Sequence, residues 1–187
     1  MIKLLCNSLL VLISLELNAN PYESSHWMGD FEIKYSSEVF RTDPQNLIPA
    51  AKLLHKAATE IYLGDPTENL EVNYLAAFPR DFKTFLDVFH RLKNRQLNDG
   101  HIYMHILSKM SKKYPEEVGG ILFSLSSEAC LDADAPNYLR HELEEFNKNY
   151  SNLYASFYEK LNWVQKDNIK LFLNASLHDM GDGTCTF

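Results

Sequence analysis

The chain predicts an all-α fold, a right-handed stack of antiparallel helix pairs (an α-α superhelix) with about 36 residues per repeat. The first observation behind this is spacing: three aromatic residues, Phe78, Tyr114 and Tyr150, stand 36 positions apart. The second is the pattern that follows each of them, at offsets of four, seven, eight and eleven residues. The copies read Phe82, Phe85, Leu86 and Phe89; then Val118, Ile121, Leu122 and Leu125; then Tyr154, Phe157, Tyr158 and Leu161. Every position is apolar or aromatic, and the offsets are those of one buried helix face. The third observation is punctuation, because Pro and Asp recur where helices should begin.

Residues 1–19 predict a secretory signal peptide. Lys3 supplies a positive charge, Leu4 to Leu15 form a short Leu-rich apolar run, and Ala19 is a small residue before a change of composition. The run is too short and too interrupted, by Cys6, Asn7 and Ser8, for a membrane span of about 20 apolar residues. The mature domain then covers residues 20–187, and losing Lys3 with Glu16 leaves its charge at −7. Residues 20–42 do not follow the repeat; Phe31 to Tyr35 alternate as a strand would, yet Trp27, Phe31 and Tyr35 also suit a helix.

Helix pairs are expected over residues 44–177. Asp43-Pro44 has the signature of a helix start, and Leu47, Ala50, Ala51 and Leu54 repeat the apolar offsets as an irregular further copy. Gly64-Asp65-Pro66 ends that helix and opens the next, which runs to about Phe78. Phe78-Pro79 and Tyr114-Pro115 make very short turns, since the residue before Pro resists helical geometry. At the third turn, Tyr150-Ser151 offers a serine as the cap. The first helices of the pairs keep an apolar stripe with two lapses, Glu71 and Glu142. A last helix near Gln165–Leu177 is expected to cover the end of the stack, and residues 178–187 read as a tail. Across residues 44–177 the organisation resembles the tandem helix-pair solenoids of the tetratricopeptide and HEAT kind, by architecture alone. Gly119 and Gly120 fall in one copy only, unlike the repeated small residues of tetratricopeptide packing.

Composition limits the function. With 45% hydrophobic and 23% charged residues the chain is ordinary for a globular domain, and its net charge is −7. No basic run exceeds Lys112-Lys113, whereas a nucleic-acid binder needs a positive stripe to neutralise phosphates. The same acidity opposes electrostatic docking on an anionic membrane. Two cysteines remain in the mature chain, and in an exported protein Cys130 and Cys185 form an expected disulfide. Its loop of roughly 55 residues would add about 4 kcal/mol in the chain-entropy description.

The residues with chemical potential are histidines. His101 and His105 are four apart on one expected helix, and His105 and His141 hold equivalent places in adjacent copies. With Glu142 or Glu145 nearby, the trio forms a candidate metal cluster, although a half-exposed helix face explains the same spacing. His141-Glu142 continues as Leu143-Glu144-Glu145, so no second His completes a zincin motif. Acidic runs at Asp132-Ala133-Asp134 and Asp179 to Gly183 lack the ligand order of a calcium loop. No nucleophile elbow and no Gly-rich phosphate loop occurs. Tyr103, Tyr138 and Trp163 fall outside the strictest core positions, and exposed aromatics on a repeat surface fit protein binding. The expectation is therefore an exported protein-binding module rather than an enzyme. It needs no cofactor and no resident metal, and its location is periplasmic or secreted. A periplasmic inhibitor or immunity protein is one concrete form. The alternative is a metal-binding protein or enzyme centred on His101, His105 and His141.

Overall fold

The computed structural model describes residues 43–63, 66–90, 100–130 and 135–174. These contain eight α-helices and no strand. They are α1 (Pro49–Leu63), α2 (Glu68–Ala77), α3 (Phe82–Phe89), α4 (His101–Met110), α5 (Pro115–Ser126), α6 (Ala135–Asn149), α7 (Ser151–Lys160) and α8 (Trp163–Asn174). The expected signal peptide, the segment 20–42 and the tail from 178 lie outside the described residues.

Local chemistry explains the boundaries. Asp43 does not open α1; its carboxylate accepts from the Gln45 N–H at 2.9 Å and holds a short 3-10 turn, Pro44–Asn46. Pro49 supplies the reason, because an imide inside a helix lacks a donor and clashes with the preceding turn. The helix therefore restarts there. Thr67 caps α2 by accepting from the Leu70 N–H at 3.4 Å, and Asp81 caps α3 by accepting from the Thr84 N–H at 2.8 Å. Pro115 occupies the first turn of α5, where its missing N–H costs nothing. At the third turn the serine does not cap: Tyr150 holds that position and Ser151 is already helical.

The core runs through the first two copies of the repeat pattern. Phe82, Phe85, Leu86 and Phe89 on α3 are buried, and so are Val118, Ile121, Leu122 and Leu125 on α5. The third copy departs from the expectation. Tyr154, Phe157, Tyr158 and Leu161 pack against the core but remain half-buried, and α7 contains no fully buried residue. The alternate helices touch in succession, α1 on α3, α3 on α5 and α5 on α7. Thus α3 and α5 each have such a neighbour on both sides, whereas among these alternate helices α7 has one only. The final helix starts at Trp163 rather than near Gln165. It buries Ile169 and Phe172 and packs on α5 and α6.

The two lapses in the first-helix stripe are buried carboxylates. Glu71 on α2 is 7% exposed and Glu142 on α6 is 4% exposed. Glu71 Oε2 accepts from Lys113 Nζ at 2.7 Å and from the Tyr114 hydroxyl at 2.9 Å, so the α4–α5 turn reaches back onto α2. These bonds hold the Lys113 ammonium well above the ordinary lysine range. Tyr103, outside the strictest core positions of the pattern, also joins the core, at 2% exposure. Its hydroxyl meets His55 Nδ1 at 2.9 Å, and its carbonyl accepts from the Tyr74 hydroxyl at 2.5 Å.

Two adjacent glycines have opposite roles. A Cβ on Gly119 would lie 2.6 Å from both Phe146 Cζ and Phe157 Cε2, closer than carbon atoms tolerate. A Cβ on Gly120 would meet its nearest neighbour, Phe157 Cε1, at 4.0 Å. Gly119→Ala is therefore expected to destabilise by about 1–3 kcal/mol through overpacking between α5, α6 and α7. Gly120→Ala should stabilise by up to about 1 kcal/mol through helix propensity. Urea denaturation of both variants checks the pair, and shifts of the same sign would refute the packing.

Candidate functional site

A cavity of about 520 Å³ opens where α4, α5 and α6 meet. Its α4 side is set by His105, Ser108 and Lys109, continued by Ser111 and Lys112 in the following turn. Its α6 side carries His141, Glu142 and Glu145. Between them lie Val118, Leu122 and Phe146, buried core side chains that form an apolar floor. The spacing of α6 explains the acidic wall, because His141, Glu142 and Glu145 fall within one turn on adjoining positions.

Burial tunes the groups. His105 is only 3% exposed, and its imidazole is pushed down to about 4, first by burial and then by the positive charges of Lys109 and His101. At neutral pH it is uncharged. The Lys109 ammonium is also pushed down, by burial and by the like charge of Lys112. Glu145 pairs with Lys148 at 3.2 Å on the exposed side of α6.

The expected histidine cluster divides. His105 and His141 line the same cavity, His105 buried and His141 exposed. His101 does not line it; its ring stacks on Tyr138 with centroids 5.8 Å apart. Among the described residues no three His, Cys, Asp or Glu side chains are grouped to hold a metal ion. The two positions share one helix face but lie about 6 Å apart along its axis, so His101 reaches Tyr138 while His105 reaches the cavity. Spacing did not single out the lysine pair on the facing wall, Lys109 and Lys112.

A second feature lies on α8. Trp163 is 80% exposed, with Val164 at 44% and Leu171 at 64%. Offsets of one, seven and eight residues place all three on one face of the helix. Beside it, α7 shows its half-buried aromatics: Tyr154 stacks on Tyr158 at 6.2 Å, and Lys160 and Lys166 lie over the rings of Phe157 and Tyr158.

Cys130 is half-buried after α5 and is the one cysteine among the described residues. Cys185, its expected partner, lies outside them. No described helix is long and apolar enough to cross a membrane. Comparison with protein-family models, with curated proteins and with solved structures finds no match.

Proposed function

We propose that this protein is an exported helical-repeat module that binds another protein, in the manner of a periplasmic inhibitor or immunity protein. The observation that carries the reading is the apolar face of α8, where Trp163, Val164 and Leu171 stand in solvent. Large exposed side chains cost solubility, and aromatic residues are enriched where proteins meet. The succession of α1, α3, α5 and α7 supports a stacked-pair arrangement, which presents equivalent residues in rows. A photo-cross-linking residue at Trp163 should capture one specific protein of the exported fraction, while the same probe at exposed Lys52 should not. Equal capture at both positions, or none at Trp163, overturns the reading.

Export and the Cys130–Cys185 disulfide belong to the same proposal. The signal-like order of residues 1–19 supports export, and the even pair of cysteines that remains after residue 19 supports the bridge. Intact mass of the exported protein under non-reducing conditions should match a chain beginning near Asn20 and lacking two hydrogens. Retention of residues 1–19 in a cytoplasmic product refutes export, and two reactive thiols refute the bridge. The rival reading, a metal or catalytic centre on His101, His105 and His141, requires stoichiometric metal in purified protein that replacement of the three by Gln removes.

A further inference from the structure

We propose that the cavity between α4, α5 and α6 receives a short segment of a partner polypeptide in which an apolar side chain stands between an acidic and a basic one. The inference rests on the protein-binding reading and names the chemistry the partner would bring.

The cavity walls are opposite in charge. Lys109 and Lys112 stand on the α4 side, Glu142 and Glu145 on the α6 side, and Val118, Leu122 and Phe146 form the floor. A ligand of one sign would be attracted to one wall and repelled by the other. A segment carrying both signs is matched on each side, and its central side chain covers the apolar floor. The volume of about 520 Å³ falls within the range of roughly 300–1,000 Å³ typical of specific pockets. The walls are also built before any ligand arrives. His105 and Glu142 are polar groups at 3% and 4% exposure, fixed by packing between helices, so little ordering remains to be done on binding. The two lysines repel one another, which is part of why the Lys109 ammonium is held below its ordinary range. A carboxylate placed between them relieves that repulsion. On the other wall, Glu145 is open enough to exchange part of its contact with Lys148 for the basic side chain of the segment.

The probe is the tripeptide acetyl-Glu-Leu-Lys-amide, titrated into the folded full-length protein and followed by backbone-amide NMR. Shifts are expected at Lys109, Leu122 and Glu145, saturating at millimolar peptide. Acetyl-Gln-Leu-Gln-amide should bind about tenfold more weakly. The Lys109→Gln/Lys112→Gln variant should weaken the charged peptide by about the same factor while keeping the wild-type amide spectrum elsewhere. Lys112 is exposed and Lys109 half-buried, so this variant retains the fold. Absence of shifts at the three positions overturns the inference, as does equal affinity for the neutral peptide or for the lysine variant. The titration needs no partner, so its failure leaves the cross-link at Trp163 standing, and failure of that cross-link leaves this titration unaffected.

Discussion

Phe85→Ala is expected to destabilise the protein by about 3–5 kcal/mol, a large part of the total stability of a domain of this size. Phe85 is 2% exposed and sits at the centre of an aromatic cluster. Its ring lies 6.5 Å from Phe78, 5.9 Å from Phe82 and 6.0 Å from Phe89. Truncation removes the transfer free energy of the ring and leaves a cavity that three other rings cannot fill by rotation alone. Leu122→Ala on α5, which corresponds to Leu86 in the pattern and is 2% exposed, should cost about 2–5 kcal/mol. Tyr158→Ala, at the matching position of the third copy, should cost clearly less, because Tyr158 is half-buried. Chemical denaturation of the three variants gives the order, and a near-neutral Phe85→Ala would refute the buried face.

Acidification supplies the second large effect. His105 titrates near 4 in the folded protein, below the ordinary imidazole value of 6.5. The unfolded chain therefore takes up the proton first as pH falls. The stabilisation linked to neutral His105 is complete above about pH 6.5, is lost between there and about pH 4, and levels off below. Its size is on the order of 3 kcal/mol. Burial is the leading cause, helped by Lys109 and His101. Carboxylates titrate over part of this interval, so the reading comes from wild type minus His105→Gln. That difference should fall by about this amount between pH 7 and pH 4.5. A difference that does not change with pH would refute the assignment.

Much of the fold could be read from spacing. The offsets that recur after Phe78 and Tyr114 located two buried faces, because a helix that meets neighbours on both sides must be apolar at those positions. The third copy was equally apolar yet half-buried, since apolarity records what a face tolerates and not how many neighbours it has. Proline misled at Asp43-Pro44, where Pro49 also competes to begin the helix. The charged lapses Glu71 and Glu142 broke the apolar stripe without showing where their carboxylates go. Glu71 is buried because Lys113 and Tyr114, more than forty residues away, complete its hydrogen bonds. For the site, the spacing paired His105 with His141, and both line one cavity. It could not show that His101 turns to Tyr138, because the rotation of one helix against the next is decided by packing.

The uneven burial of the helices gives the protein a direction in which it loosens. α7 has no fully buried residue and rests on α5 and α6, whereas α3 and α5 lie inside the core. Local opening should therefore begin at α7, with amide protection rising inward toward α5 and α3. A protein that docks on this end would meet the least buried of the described helices. Its binding would order that helix as well as occupy it, so part of the association free energy would be spent as added rigidity.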